Sequence, residues 1–383
     1  MPSRTFRAAV IGRTGRGNYG HGLDTVWKRF ANVTLIAVAD DHPQGLAAAG
    51  ERLGVRALYG DYRRMLAAER PDIVAVAPRW VDCHHDMVIA AAEAGASVYL
   101  EKPMARTPAE ADRMIDACDR AHVKLAVAHQ MRISPAIEQA KRLLGEGALG
   151  RLQELRGRGK EDRRAGGEDL MVLGAHVMDL MRQFAGDPLW AFGRVTTAGR
   201  GLTRAGIREG PEGLGLIAGD AIAGLFGFRD GLTGYFASKQ CGQSDGGRFG
   251  VDLYGSEGIL SIRAATEPQI HLCSSSRWTN APWRPVASPA PAIRSSPEPA
   301  PPAAAPGGAS PPAHLAGPPP RDANVPLVAD LLEAIEQDRP PRASGVEARW
   351  TIEMAMALYE SERTGARVRL PLADRGHPLE KLG

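Results

Sequence analysis

Phe6-Arg7-Ala8-Ala9-Val10-Ile11-Gly12-Arg13-Thr14-Gly15-Arg16-Gly17 is the stretch whose reading decides the fold. A mostly apolar run of strand length stops at glycines, and residues 23–30 behind it carry a helical pattern. Strand, tight turn and helix in that order begin a βαβ unit. The same alternation continues downstream. Residues 33–39, 73–77, 98–100 and 125–128 are apolar strands, the second of them closed by Pro78. Between them, 44–53, 62–68, 84–94 and 108–121 are helical. Gly95 stands where a helix C-cap belongs, and Thr107 followed by Pro108 makes a helix start. Strands separated by helices pair in parallel, so the first third is α/β, a doubly wound parallel sheet.

The character then changes. Helices are predicted over 136–144 and 169–184, with a strand at 152–158. Strand-like segments follow at 192–197, 221–228, 232–238, 248–254 and 258–262, without helices between them. That pattern predicts an α+β half with a large, mostly antiparallel open sheet. Residues 282–320 hold 14 of the 29 prolines, mixed with Ala, Ser and Gly. Such a stretch has too little apolar bulk to offset its ordering entropy, so a flexible or polyproline-like excursion is expected. Order returns with helices over 325–337 and 346–364 and a short strand at 368–371. The expected domains are 1–128 and 129–383, consistent with 383 residues at roughly 100–200 per domain.

Composition removes several function classes. The formal charge is +3 and no Lys/Arg block stands out, so neither nucleic acid nor an anionic membrane is called for. Cys83, Cys118, Cys241 and Cys273 are far apart and fit neither a zinc site nor a disulfide scaffold, and no metal is expected. Residues 1–7 are short and polar, and no apolar run reaches membrane-spanning length; a cytoplasmic protein is expected.

Three motifs carry chemistry. Gly12, Thr14 and Gly17 fill the slots of G-x-G-x-x-G, with Gly15 added. Glycines there let backbone approach a pyrophosphate whose charge meets a helix N-terminus, although strand-to-helix turns also carry glycine for geometry alone. The second strand ends in Asp40, placed to accept from both adenosine-ribose hydroxyls; no Arg follows it, which favours NAD over NADP. The alternative for Asp40-Asp41 is an ordinary turn. Glu101-Lys102-Pro103 ends a later strand, where Lys102 can donate to a substrate oxygen and stabilise its charge, unless it is a solvated surface charge.

Together with Pro78 and His84, with Ala92-Glu93-Ala94-Gly95 and with residues 166–179 and 254–258, these motifs resemble the Gfo/Idh/MocA (glucose–fructose oxidoreductase/inositol dehydrogenase) family. The resemblance implies a Rossmann NAD-binding domain and a C-terminal domain whose open sheet builds homodimers or homotetramers. It implies hydride transfer between NAD and a secondary alcohol of a sugar, sugar derivative or cyclitol. Lys102 matches the family's lysine at substrate and nicotinamide, and His176 its catalytic histidine, a residue type that exchanges protons near neutrality. Pro78, His84 and Glu101 are expected on the cofactor side. Asp179 follows His176 by one helical turn and is a candidate to orient it or bind substrate. The family's Asp four residues before that histidine is Val172 here, which leaves Asp169 as a candidate substrate contact against helix capping. Arg79, Trp80, Gln130, Arg132, Arg163 and Arg164 are weaker candidates. Two alternatives stay open: an NAD-dependent glycoside-cleaving enzyme working by transient oxidation, and a non-catalytic nucleotide and sugar sensor.

Overall fold

The structure is a computed structural model and describes residues 4–240, 247–265, 268–275, 281–288 and 323–382. Six strands form the first sheet: β1 Phe6–Ile11, β2 Val33–Ala39, β3 Ala57–Tyr59, β4 Ile73–Val76, β5 Ser97–Leu100 and β6 Leu125–Val127. Their order is β3-β2-β1-β4-β5-β6 and every pair is parallel. Four helices connect them: α1 Pro43–Leu53, α2 Tyr62–Glu69, α3 His84–Glu93 and α4 Pro108–Arg120. Their starts follow local chemistry, since the Asp61 carboxylate and Thr107 hydroxyl accept from first-turn amides of α2 and α4. The sheet is Rossmann-type, as the alternation predicts.

One expected helix is not there. Residues 23–30 hold only a single 3-10 turn, Val26–Arg29. Gly15, Gly17, Gly20 and Gly22, all before the expected helix, have positive φ, so the chain stays in turns up to Gly22 and only a short turn remains after it. The turn after β1 therefore extends over a dozen residues before the chain packs back on the sheet through Trp27.

The second half begins with α5 Pro135–Gly145, β7 Leu152–Arg158, α6 Gly167–Val172 and α7 Gly174–Ala185. The long helix expected over 169–184 is thus two helices, broken at Leu173. The remaining strands are β8 Trp190–Thr197, β9 Arg200–Gly201, β10 Ile207–Glu209, β11 Leu216–Ala218, β12 Ala221–Gly227, β13 Thr233–Lys239, β14 Gly250–Gly255, β15 Ile259–Arg263, β16 Gln269–Cys273, β17 Arg284–Val286 and β18 Val368–Arg369. A ten-stranded sheet runs β17-β16-β15-β14-β7-β13-β12-β8-β18, with β9 on β8. Only the β13–β7 pair is parallel. The start of the Pro-rich stretch is thus an edge strand rather than an excursion: residues 284–286 pair with β16, and an edge tolerates Pro285. Residues 289–320 and Cys241 lie outside the described residues.

α7 and α9 (Gly345–Thr364) cover one face of this sheet, in a core with Phe226, Phe236 and Leu358. Gly193 lets α9 approach, since a Cβ there would lie 2.4 Å from the Leu358 carbonyl. α8 Val325–Glu336 returns to the first sheet instead, where Val325, Val328 and Leu331 pack with Phe6, Val10 and Trp27. Just after α8, the Ala343 carbonyl accepts from the Val127 amide at 2.8 Å. The two sheets are therefore tied by chain that crosses between them late. No helix among the described residues is long and apolar enough to cross a membrane.

Candidate active site

In open α/β sheets ligands bind beyond the carboxyl ends of the strands where strand order reverses, here between β1 and β4. A cleft of about 360 Å³ opens there, with Gly12, Arg13, Asp40, Asp82 and Met87 in its lining. Asp40 organises the loop beside it. Its carboxylate is 2% exposed and accepts from the Thr14 amide at 3.1 Å, the Thr14 hydroxyl at 2.7 Å, the Tyr19 hydroxyl at 2.8 Å and the His42 amide at 3.0 Å. A carboxylate has about four acceptor positions. Asp40, expected to take ribose hydroxyls, is thus filled by donors of its own loop.

The glycines have separable reasons. A Cβ on Gly12 would lie 2.2 Å from the Tyr19 ring, so that glycine admits an aromatic ring. Thr14 fills the space over Gly45, where a Cβ would sit 2.0 Å from its hydroxyl. Gly17, at φ +92°, brings backbone against backbone: a Cβ would lie 2.4 Å from the Arg79 amide nitrogen. Gly15, at φ +82°, faces open space.

A dinucleotide fits this edge. The cleft is there, bare backbone at Gly15 faces outward, and Asp82 Oδ1 is buried in the lining without a hydrogen-bond partner among the described residues. Gly12, Arg13, Thr14, Gly15 and Asp82 are the residues that would hold its adenosine and phosphate side. The expected helix N-terminus is absent, but Arg13 and Arg16 supply cations at the turn, held by Asp41 at 3.0 Å and Asp82 at 2.5 Å. Arginine therefore does reach the cleft, from elements other than the one after Asp40. Asp40, Asp41, Asp61, Asp82 and Asp86 outnumber Arg13 and Arg63 in the lining, a balance that suits NAD better than a 2′-phosphate.

Deeper along the strand ends lies a second cluster. β5 runs into Glu101 and Lys102, and the Lys102–Pro103 peptide is cis. Glu101 is buried and pairs with His21 Nδ1 at 2.9 Å. Burial works to raise the Glu101 pKa, but the hydrogen bond and charge of His21 and the charge of Lys102 prevail and hold it below the usual range. Lys102 is 6% exposed and its Nζ lies 3.5 Å from the Val172 carbonyl, the last of α6. Burial lowers its pKa, against the raising effect of Glu101 and Glu212. His176 stands on the first turn of α7, its ring 5.6 Å from that of His129 and nearly perpendicular to it. Burial, then Lys102, His129 and His21, push the His176 pKa well below its ordinary value. His176 is therefore a neutral imidazole beside a buried lysine, able to take a proton from a hydroxyl that Lys102 polarises.

Other candidates have protein partners. Asp169 accepts from the Lys160 and Glu161 amides and from Ser238 Oγ at 2.5 Å, which closes the turn before α6. Asp179 is paired with Arg132 and accepts from Gln183 at 3.1 Å. His84 is fully buried, with Nε2 2.7 Å from the Pro78 carbonyl and Nδ1 3.0 Å from that of Pro103, so it staples the loops after β4 and β5. Gln130 donates to Asn324 at 3.0 Å, and Arg164 is clasped by Asp162. Arg79 reaches across to Glu212 at 2.7 Å, and Trp80 lies under the Arg16 guanidinium.

Sequence reasoning missed Tyr19, His21 and His129. The first two lie in the loop read as leading to a helix; four glycines within eight residues were the signal against it. His129 directly follows the strand at 125–128, a strand-end position of the kind that singled out Lys102.

Comparison with known proteins bears on the fold and the family. The model of the oxidoreductase family's NAD-binding Rossmann fold matches residues 6–129, and that of the Gfo/Idh/MocA C-terminal domain matches residues 137–261. A D-apiose dehydrogenase of Paraburkholderia graminis is 29% identical over 308 residues, 74% of this chain and 77% of the relative. A levoglucosan dehydrogenase of Pseudarthrobacter phenanthrenivorans is 27% identical over 280 residues, 65% of this chain and 70% of the relative. A solved levoglucosan dehydrogenase, in complex with NADH and levoglucosan, superposes with a TM-score of 0.74 at 22% identity, covering 96% of this chain and all 100% of that one; at that identity the likeness carries the fold. With both domains matched in chain order and the cofactor edge in place, the chain belongs to the Gfo/Idh/MocA family of NAD-binding oxidoreductases.

Proposed function

We propose that this enzyme transfers hydride between NAD and a secondary alcohol of a sugar, sugar derivative or cyclitol, with Lys102 and His176 acting at the reacting oxygen. What supports the reading is that Lys102 and His176 are both buried and close enough for the lysine's charge to act on the imidazole, with Lys102 at the strand-end edge that also carries the cleft lined by Gly12, Asp40 and Asp82. Bound NAD supplies the carbon that accepts or returns hydride. In the oxidising direction His176 takes the hydroxyl proton. Lys102 donates a hydrogen bond to the same oxygen and stabilises the charge that builds on it as the carbonyl forms. The dehydrogenase names of the relatives, for D-apiose and levoglucosan, support a carbohydrate substrate. Asp169 and Asp179 have less part in this reading, because protein donors already occupy them.

The test is purified protein with NAD⁺ and a panel of D-apiose, levoglucosan, D-glucose and myo-inositol, read by reduced-nicotinamide absorbance. NADH formed one-for-one with oxidised product supports the proposal. Glycoside cleavage without net NADH moves it to the transient-oxidation alternative. Binding of NADH and sugar without any turnover leaves the sensor. We also propose self-association through the outer face of the ten-stranded sheet. Phe192, Leu225, Tyr235 and Arg156 stand there in one cross-strand row, with Phe192 and Tyr235 45% and 42% exposed.

A further inference from the structure

His129 is the group in this site that the mechanism above leaves unused. Its ring is 2% exposed, and neither Nδ1 nor Nε2 has a hydrogen-bond partner among the described residues. Buried polar atoms in folded proteins are nearly always paired, so two orphans on one ring mark a position built for something else. The surroundings show what. His129 follows β6, at the same strand-end edge as Glu101 and Lys102 on β5. Its ring meets His176 edge-on at 5.6 Å. Lys102, Glu101, Asp179 and Arg132 are near enough for their charges to act on it. The two carboxylates and Arg132 are already engaged, with His21 or with one another. A buried neutral imidazole offers a donor on one nitrogen and an acceptor on the other, and a hydroxyl group, which both donates and accepts, can bond to either.

We propose that His129 is a specificity-determining residue that binds the substrate hydroxyl next to the one being oxidised, so that the enzyme selects vicinal diols. The spacing fits. Oxygens on adjacent carbons lie a hydrogen bond apart, and each would have its own imidazole, His176 for the reacting one and His129 for its neighbour. The assignment rests on the alcohol-dehydrogenase reading of the same site.

The experiment crosses substrate with variant. Whichever polyol of the panel is oxidised is compared with its analogue lacking the neighbouring hydroxyl, on wild type, H129F and H129Q, with NADH affinity measured in parallel. Wild type is expected to lose about 100-fold or more in kcat/KM on the deoxy analogue, since the imidazole is left unpaired. H129F is expected to lose at least about 10-fold on the full polyol and to discriminate the two less than about 3-fold, with NADH affinity unchanged. H129Q, which keeps a donor and an acceptor, should recover part of the discrimination. Equal losses of H129F on both substrates, with discrimination intact, would mean a structural histidine and overturn the assignment alone. A panel in which nothing is oxidised overturns the dehydrogenase reading and this assignment with it.

Discussion

Replacing His129 by Phe should make the protein less sensitive to acid, by an amount the structure sets. Burial lowers the His129 pKa from 6.5 to about 4; Asp179 and Glu101 oppose the shift, and Arg132 and Lys102 reinforce it. In the native chain His129 therefore stays neutral down to about pH 4, while in the unfolded chain it binds a proton below pH 6.5. Between those values the unfolded state holds more protons, so stability falls as pH falls from 6.5 to about 4. The whole gap corresponds to about 3 kcal/mol, of which about 2 kcal/mol is lost between pH 7 and pH 5. Phe has similar bulk and no proton to bind. Guanidinium unfolding followed by tryptophan fluorescence at both pH values gives the comparison. His84 and His377 are also held below their ordinary pKa, chiefly by burial, but they are common to both proteins and subtract out, and His176, which His129 touches, is lowered chiefly by burial that the Phe ring preserves. H129F should lose about 2 kcal/mol less than wild type over that interval. Equal losses would refute the reasoning, because His129 would then titrate alike folded and unfolded.

Three further outcomes are expected. Asp40→Asn leaves buried donors of Thr14, Tyr19 and His42 facing an amide, and should cost about 1–3 kcal/mol of stability and weaken NADH binding, read by denaturation and by fluorescence titration. Gly17→Ala drives a methyl into the Arg79 backbone at positive φ and should cost more than about 2 kcal/mol, whereas Gly15→Ala, with the same sign of φ but open space, should cost about 1 kcal/mol; thermal melts of the two variants test the contrast. Because His176 is held below its ordinary pKa, the acid limb of kcat/KM for alcohol oxidation should lie below pH 6.5, and an acid limb above that value would remove His176 as the base.

The sheet was legible because parallel strands buried on both faces read as apolar runs, as 73–77 does. The three-residue strands at 57–59 and 284–286 have too few residues for a period to show, and their pairing is set by neighbours distant in sequence. Leu173 breaks a helix that a continuous apolar pattern joins, and nothing at that residue announces it. For the site, Lys102 was singled out by its strand-end position and His176 by resemblance, and both are buried within reach of each other's charge, whereas Asp40 was read by position alone. Its saturation by Thr14 and Tyr19 depends on how a glycine-rich loop folds back on itself, which spacing does not encode. His129 escaped because a lone histidine after a strand is ordinary until its neighbours are known.

Lys102 and His176 are proposed to perform alcohol chemistry beside a cofactor held mainly by other residues. The most direct measurement is NADH affinity and polyol turnover side by side for wild type, Lys102→Met and His176→Asn. NADH affinity is expected within about 3-fold of wild type in both variants, with turnover reduced by at least about 100-fold. Turnover that survives both substitutions would contradict the proposal.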